Sequence, residues 1–404
     1  MKANENASFL FDIDIRPGTR SLLLLIFGVA MLIPLPTIQA QTYTVLYSFS
    51  GSCGGGFAIG GVTLDQNGRI YGTTAYGGAH NGGAVYRLAR EGEGWICSPL
   101  YGFGYQDQDG SNPYAGVVFG PGGLLYGTTS DYGAYGYGTV FSLQPPASAC
   151  KSFLCPWLET ILYNFTGGAD GAYPGYGKLT FDQAGNLYGT TLYGGARGDG
   201  VVFKLTPSGS GWTESVIWDF PNSGTPLSGV IFDSAGNLYG TTPSMVYELS
   251  PTQSGWTETT LSTSVGGAGG LTWDAQGDLF GITGDGNQGG DASVYKLTPQ
   301  NGGWTSSVLY DFGMLYFAPA AAPTFDAQGN LYGPLPSYPN QNGEIFKLTP
   351  SGNQWTYSPY HQFTGGSGGT APVGAVVFDA NGNMYGTTAG VDVGGESAVW
   401  EITP

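Results

Sequence analysis

The sequence is poor in basic residues, histidine and cysteine. Its 404 residues contain 12 Lys plus Arg against 29 Asp plus Glu, which gives a net charge of −17. A surface this acidic repels phosphate backbones and anionic lipids, so we expect no nucleic-acid or membrane-surface partner. Two histidines, His80 and His361, and no C-x-x-C pair give no zinc-binding pattern. We therefore expect no cofactor.

The polar residues show no catalytic pattern either. Neither histidine has a sequence context that indicates a Ser-His-Asp set. Paired carboxylates of the glycosidase type stay open, because the distance that such a pair needs cannot be derived from sequence. We therefore favour a protein that is not an enzyme, with a carbohydrate-active hydrolase or lyase as the weaker alternative.

Only one long apolar run occurs, at residues 22–33 near the N-terminus. Twelve apolar residues are too few to cross a bilayer as a helix. Arg16 and Arg20 precede the run, and the small Ala40 fits a cleavage position. The pattern predicts a secretory signal peptide over residues 1–40, with a retained N-terminal anchor or a buried helix as alternatives. We expect a mature chain that is secreted by the Sec-type route and not inserted into a membrane, with association to a cell surface left open.

All four cysteines lie in the part of the chain that this signal would export. An even number of cysteines in an oxidising compartment favours disulfides. Cys150 and Cys155 would close a short loop and are the first predicted pair. Cys53 with Cys97 follows by elimination.

The chain is rich in glycine, with 72 residues, and 14% of its residues are aromatic. Both are organised by a repeat of an apolar strand, a tight turn and the segment Leu-Tyr-Gly-Thr-Thr, as in DQAGNLYGTT (182–191) and DSAGNLYGTT (233–242). Its aromatic anchors are Tyr71, Tyr126, Tyr188, Tyr239, Phe280, Tyr332 and Tyr385. A repeat of about 50 residues built from short β segments is typical of propeller blades.

Each repeat contains four strand-like runs, which we label A to D. The segment at 43–49, YTVLYSF, matches run D, and the last segment at 398–404, AVWEITP, matches run C. The N-terminal strand would therefore complete the last blade and remove two exposed sheet edges. We predict an all-β fold over residues 41–404: a seven-bladed β-propeller of four-stranded blades, with the N-terminal strand closing the last blade.

The turn between runs A and B reads D-x-x-G in six copies. Aspartate at its first position accepts hydrogen bonds from backbone N–H groups, and glycine at its last position supplies a positive φ. We interpret these aspartates as structural rather than as acids or calcium ligands. A glycine follows the aromatic residue of run B in every copy, which we attribute to close approach between sheets.

Units of the form F-D-x-x-G-N-L-Y-G-T-T followed by V-F-K-L-T-P resemble the GloVer tandem repeats of exported bacterial proteins, and more loosely the NHL-type propeller repeats. The resemblance covers residues 43–404. It implies a repeat propeller that is exported, but no particular chemistry. The resemblance implies that many members carry a C-terminal anchoring or sorting tail, whereas this sequence ends at Pro404 with run C. We therefore expect free secretion.

The order of the strands places the A–B and C–D turns on one face of the disc and the B–C and D–A loops on the other. The second set is long and varied, and propeller ligands usually meet such loops, so we place the site there, over blades 1 to 3. Tyr76, Tyr132 and Tyr193 follow run B, each beside glycine. They would stack on sugar faces and add hydrogen bonds. The alternative is that they pack on neighbouring blades.

Polar residues of the same loops complete the predicted ligand-binding set: Arg197, Asp107, Asp109 and Asp170. Asp107 and Asp109, like Asp285 and Asp291, resemble fragments of calcium-binding loops but lack the full ligand spacing. We favour solvated turn acids, with calcium as the alternative.

The leading hypothesis is a secreted, non-enzymatic binding module for extracellular glycans or a surface protein, acting as a monomer. A structural or adhesive envelope protein is the first alternative, and a carbohydrate-active enzyme is the second.

Overall fold

The computed structural model describes residues 41–49, 53, 55–104, 108–146, 157–209, 211–221, 224–284, 291–314, 321–336, 342–390 and 397–404. The predicted signal peptide and the predicted pair Cys150 and Cys155 lie outside this part of the chain. Residues Thr42–Pro404 form one compact unit. Within the described ranges, no helix has the length and hydrophobicity that a membrane crossing requires.

The unit consists of seven four-stranded antiparallel sheets, the blades. The first strand, β1 (Thr42–Ser48), belongs to the last blade. Blade 1 contains β2 (Val62–Leu64), β3 (Ile70–Thr74), β4 (Asn81–Glu91) and β5 (Gly94–Gly104). Blade 2 contains β6 (Val118–Phe119), β7 (Leu125–Thr129), β8 (Thr139–Gln144) and β9 (Leu158–Asn164). Blade 3 contains β10 (Thr180–Phe181), β11 (Leu187–Thr190), β12 (Val201–Ser208) and β13 (Gly211–Asp219).

The remaining blades follow the same order. Blade 4 contains β14 (Ile231–Phe232), β15 (Leu238–Thr242), β16 (Met245–Thr252) and β17 (Gly255–Ser262). Blade 5 contains β18 (Thr272–Trp273), β19 (Leu279–Ile282), β20 (Asp291–Gln300) and β21 (Gly303–Met314). Blade 6 contains β22 (Thr324–Phe325), β23 (Leu331–Leu335), β24 (Glu344–Ser351) and β25 (Gln354–Gln362). Blade 7 contains β26 (Val377–Phe378), β27 (Met384–Thr388), β28 (Ala398–Thr403) and β1. Short 3-10 turns occur at Pro121–Gly123 and Gly366–Gly368.

The ring closes through the two ends of the unit. Strand β1 pairs antiparallel with β28, with Thr42 opposite Thr403 and Ser48 opposite Ala398. The predicted seven-bladed propeller and its closure by the N-terminal strand are confirmed. Closure gives the last blade its outer strand and leaves β28 without an open edge.

The A–B turns are held by their aspartates. In blade 3, Asp182 Oδ1 accepts the backbone N–H groups of Ala184 (2.9 Å) and Asn186 (2.8 Å). Its Oδ2 accepts Asn186 Nδ2 (2.6 Å) and Tyr188 Oη (3.1 Å). Burial acts to raise the pKa of Asp182, but the hydrogen bonds from Asn186, Tyr188 and Ala184 together outweigh it and lower the pKa. The structural interpretation of these aspartates is confirmed.

The core lies between blades and repeats with them. The ring of Tyr188 meets Phe232 of the next blade edge to face, at 5.0 Å, and Trp256 of that blade at 6.5 Å. The same pair of contacts recurs around Tyr71, Tyr126, Tyr239 and Phe280. Each such aromatic pair contributes about 0.5–1.5 kcal/mol beyond its buried area. The recurring Tyr and Trp of the sequence therefore form one interface, copied around the ring.

The glycine after each B-strand aromatic has a different reason from the predicted one. Gly189 lies opposite Phe203 of the neighbouring strand in its own blade, and a Cβ there would overlap the Phe203 ring. Each of the other blades repeats this pairing of glycine with a strand-C aromatic: Gly72, Gly127, Gly240, Gly281, Gly333 and Gly386. The close approach is thus within a sheet rather than between sheets, because an aromatic ring lies across the glycine.

One disulfide is described. It joins Cys53, in the loop that enters blade 1, to Cys97 of β5, with a Cα–Cα distance of 5.9 Å. This is the pairing that the sequence left by elimination.

Candidate functional site

The B–C and D–A loops of blades 1 to 3 are locked together by hydrogen bonds. The side chain of Asn112, in the loop entering blade 2, donates to Ala75 O at 3.0 Å, and its backbone N–H donates to Gly82 O at 2.7 Å. Tyr173, in the loop entering blade 3, donates its N–H to Tyr137 O at 3.0 Å. Each D–A loop therefore clamps the B–C loop of the preceding blade. A face built in this way is preorganised for binding.

Backbone strain is concentrated on the same face. Six non-glycine residues of the described ranges have a φ in the left-handed region. Asn81 begins β4, directly after the B–C loop, and the other five lie in B–C or D–A loops: Phe57, Asn112, Tyr132, Tyr173 and Ala371. Such conformations cost about 1–3 kcal/mol each and persist where surrounding contacts determine them. The loop hydrogen bonds supply those contacts.

Seven aromatic side chains lie on this face in two neighbouring groups of contacting rings, which we together call the tyrosine patch: Phe57, Tyr76, Tyr114 and Tyr176 in one, and Tyr137, Tyr173 and Tyr193 in the other. The rings of Tyr114 and Tyr176 stack in parallel, with centroids 5.3 Å apart and planes at 6°. Tyr76 meets Tyr114 edge to face, and their hydroxyl oxygens are 3.0 Å apart.

The patch continues towards blade 3. Tyr173 contacts Tyr193 at 6.0 Å and Tyr137 at 5.8 Å, edge to face in both cases. Tyr193 also lies close enough to Tyr176 to help raise the pKa of the Tyr176 phenol, after burial and the influence of Tyr76 and Asp131. The two groups of rings are therefore neighbours on the loops of three blades.

The patch is open to solvent. Tyr193 is 56% exposed, Tyr76 is 44% exposed and Tyr176 is 42% exposed. Contiguous exposed aromatic surface is uncommon on soluble proteins and marks interaction sites. Its hydroxyls make it suited to a ligand that offers both an apolar face and hydroxyl groups.

The electrostatics keep the patch neutral. Burial, followed by the hydrogen bond to Tyr76, raises the pKa of Tyr114 above that of an ordinary phenol. Burial raises the pKa of the nearby Asp131 carboxyl. The hydroxyls of Tyr114 and Tyr176 are therefore protonated at neutral pH and able to donate hydrogen bonds.

A second feature of the loop face is a pair of acid–tyrosine–acid clusters at the outer strands. Tyr101 Oη lies 2.8 Å from Asp109 Oδ2 and 3.2 Å from Glu159 Oε2. Burial, followed by the charge of Asp109, raises the pKa of Glu159 to about 8. At the next interface, burial and then the charge of Asp170 raise the pKa of Glu214 to about 7. Tyr163 donates to Asp170 there at 3.0 Å.

These clusters occupy the place that the disulfide occupies one blade earlier. Cys97, Glu159 and Glu214 have the same register, each opposite a strand-C leucine: Leu88, Leu143 and Leu205 respectively. Their partners Cys53, Asp109 and Asp170 all lie in D–A loops and each precedes a glycine in the sequence. At the first two interfaces the D–A loop is thus tied to the outer strand of the following blade, by the disulfide and then through Tyr101. At the third, Asp170 is bonded to Tyr163 of the preceding blade and lies near Glu214.

The model of the Gloeobacter/Verrucomicrobia repeat matches three overlapping stretches of the chain: residues 35–159, 105–269 and 158–335. Together they cover well over half of the sequence. The chain belongs to the Gloeobacter/Verrucomicrobia repeat family. No protein with a curated description matches it.

Solved structures resemble this member of the repeat family in fold. One is the extracellular domain of a B. thetaiotaomicron protein named as a hybrid two component system, with 11% identity and a TM-score of 0.53 over 89% of this chain. This chain spans 40% of that structure's chain. Another is a Bacteroides uniformis protein named as a 6-phosphogluconolactonase, with 14% identity and a TM-score of 0.50 over 79% of this chain and 88% of that chain. At identities this low, the likeness to these structures shows a shared fold and nothing more.

The structure separates the residues that the sequence grouped as one site. Tyr76 and Tyr193 belong to the tyrosine patch, while Tyr132 lies beside it, 44% exposed, and bridges to Tyr137 through its backbone. Asp170 accepts hydrogen bonds from Thr166 and Tyr163 within its own loop region. The other polar candidates are placed as follows.

Arg197 Nη1 donates to Asp219 O at 3.1 Å, at the end of the outer strand of blade 3. Asp109 is buried and accepts from Tyr101. Asp107 and Asp285 lie outside the described residues, and of Asp291 only the backbone is described. Among the described residues, no group of three or more His, Cys, Asp or Glu is placed to hold a metal ion.

Sequence reasoning missed Tyr114 and Tyr176 in this member of the repeat family. Both lie just before the inner strand of their blade, in NPYAG and PGYGK. The available signal was a tyrosine one or two residues after proline at equivalent points of two successive D–A loops.

Proposed function

We propose that this protein is a secreted, non-enzymatic propeller that binds extracellular glycans through the tyrosine patch. The observation that carries the proposal is the exposed aromatic surface formed by the contacting rings of Tyr76, Tyr114 and Tyr176, with Tyr193 nearby. Flat apolar rings match the faces of sugar rings, and phenol hydroxyls match sugar hydroxyls. Preorganised loops limit the entropy lost on binding.

Charge and cysteine chemistry support the same proposal. A net charge of −17 disfavours polyanionic partners and leaves neutral polymers as the favoured class. The disulfide between Cys53 and Cys97 fits an oxidising compartment. The predicted signal over residues 1–40 fits export.

The test is a panel of cell-wall and plant polysaccharides incubated with the protein made under oxidising conditions, scored for retention and for release of reducing ends. We expect retention without release. Tyr76→Ala and Tyr193→Ala should each weaken retention about 3- to 10-fold, because one aromatic contact is worth about 0.5–1.5 kcal/mol.

Tyr135→Ala is the matched control, since Tyr135 is 62% exposed on the same face and lies outside the patch. It should leave retention unchanged. Equal losses for Tyr135→Ala and Tyr193→Ala would contradict the assignment of the patch. Absence of retention by any polymer in a folded sample would instead favour a structural or adhesive role, or a surface protein as partner.

The second candidate is a carbohydrate-active hydrolase, and the convergence of Asp109 and Glu159 on one hydroxyl favours it. Glu159 has a raised pKa of about 8, as a proton donor requires. Against an enzyme, Asp109 and Glu159 take the positions that the disulfide-bonded Cys53 and Cys97 take one blade earlier, at an outer strand. Both facts favour a structural role for this pair of acids. Release of reducing ends that disappears in Glu159→Gln would establish the enzyme. Absence of release in the wild-type protein would exclude it for the polymers tested.

A further inference from the structure

The centre of the propeller contains a cavity of about 280 Å³, bounded by the segments that begin the inner strands. Small residues dominate these segments. At the position equivalent to Lys178, the other six repeats have glycine or alanine: Gly61, Gly116, Gly229, Gly270, Ala322 and Ala375. The repeat therefore needs no long side chain at this point, and Lys178 is the exception.

The side chain of Lys178 runs along the wall of the cavity across two blade boundaries. Its Nζ donates a hydrogen bond to Val62 O, at the start of blade 1, at 3.1 Å. On the way it passes Gly116 of blade 2, where a Cβ would lie only 2.7 Å from Lys178 Cε. Glycine at 116 thus leaves the path open for the lysine. The ammonium group has three protons, and Val62 O is its one hydrogen-bond acceptor among the described residues.

The ammonium group of Lys178 has no counter-charge among the described residues that line the cavity. No carboxylate is found among the described residues that line it, and Tyr176 is the other titratable side chain there. Burial lowers the pKa of Lys178 to about 8. Lys178 lines the cavity and its side chain is not fully buried. A cation without a counter-charge in a poorly solvated site opposes folding. The other six repeats have no lysine at this position, so the fold does not require Lys178.

The walls define what would complement the lysine. Ile59, Val118 and Leu271 line the cavity together with the small residues. Ligand sites of this kind combine a mostly apolar lining with a few polar groups that fix orientation, over about 300–1,000 Å³. The volume of about 280 Å³ lies just below that range and therefore suits a small molecule. A ligand that matches both Lys178 and these walls would carry one negative charge on a compact apolar body.

We propose that the central cavity is a binding site for a small organic carboxylate, with the carboxylate oxygens accepting hydrogen bonds from Lys178 Nζ and the apolar body contacting the walls. This site adjoins the tyrosine patch, because Tyr176 belongs to both, but it does not rest on the glycan proposal. It gives the protein a second ligand class of opposite character.

The test uses protein made from the full sequence, titrated by calorimetry with sodium butyrate and sodium benzoate against sodium chloride at matched ionic strength. We expect saturable binding of at least one carboxylate and none of chloride. Lys178→Met should weaken that binding at least tenfold. Lys204→Met is the control, because Lys204 lies on an outer region of blade 3 over the Tyr188 ring and should leave binding unchanged.

The pH dependence supplies a second readout. Binding requires the protonated amine, so the affinity should fall about tenfold per pH unit once the pH exceeds the pKa of Lys178 in the ligand-free protein, about 8. Tyr176 stays neutral in this range because burial raises its pKa. Lys178→Arg, charged at every pH tested, should flatten the profile.

Two results would overturn the proposal. The first is absence of saturable carboxylate binding in the wild-type protein, with Lys178→Met merely lowering the melting temperature, which would make Lys178 a tie between blades. The second is binding that persists in a folded Lys178→Met variant.

Discussion

Single residues in this protein are constrained mainly by the residue across the strand. Gly240 lies opposite Tyr247, and the hydroxyl of that tyrosine fills the space where a side chain at 240 would stand. Tyr247 is fully buried. The glycine therefore makes room for a large strand-C aromatic rather than for a turn.

Gly240→Ala should destabilise the protein by about 1–3 kcal/mol, because an added methyl group forces the Tyr247 ring to move in a packed core. The free energy of unfolding in denaturant measures the effect. Gly211→Ala is the control, since a Cβ at Gly211 meets nothing within 4 Å. Equal stability of the two variants would contradict the proposed role of Gly240.

At the scale of elements, the D–A loops carry the contacts that differ between blades. Two successive interfaces tie this loop to the next outer strand, first through Cys53 and Cys97 and then through Tyr101, which lies between Asp109 and Glu159. At the third interface Asp170 accepts from Tyr163 of the preceding blade. The clusters bring carboxyl groups together under conditions that favour one of them being protonated. Stability should therefore respond to pH through these loops.

The raised pKa of Glu159, about 8 against 4.5 for an ordinary glutamate, means that the folded state holds a proton that the unfolded state releases. Its stabilising contribution is complete below about pH 4.5 and is lost as the pH rises through about 8. The melting temperature should fall between pH 5 and pH 9. Glu159→Gln should make that decline shallower, as followed by circular dichroism.

Glu91→Gln is the matched control, because Glu91 is exposed at the end of β4 and should leave the decline unchanged. If Glu159→Gln and wild-type protein lost stability in parallel over this range, the cluster would not be the source of the pH dependence.

At the scale of the whole molecule, stability depends on closing the ring. Blade 7 takes three strands from the C-terminal end and its outer strand from β1. Because every core cluster lies between two blades, an incomplete blade weakens two interfaces at once. Closure also hides the backbone edge of β28.

Deleting residues 41–48 should therefore cause aggregation and a lower, less cooperative melting transition, measured by light scattering and calorimetry. A circular permutant is the control: Thr42 lies opposite Thr403, so a short turn can join the two ends while new ends open between blades 3 and 4. The permutant should stay monomeric with a melting temperature near that of the wild-type chain. Normal melting of the truncated chain would show that closure contributes little.

The sequence by itself determined the repeat, the number of blades, the structural role of aspartates such as Asp182 and the exchange of strand β1. These features depend on strand periodicity and turn chemistry, which act over a few residues and recur in each copy. The seven copies also show which positions the fold needs and which ones, such as Lys178, depart from it.

The tertiary structure alone decided which side chains meet. It brought Tyr114 and Tyr176 of successive D–A loops into a stack and turned Asp109 and Asp170 towards outer-strand tyrosines. It also carried Lys178 to Val62, 116 residues away along the chain. The physical reason is that these contacts join different blades, and their geometry follows from the rotation between blades rather than from any local pattern.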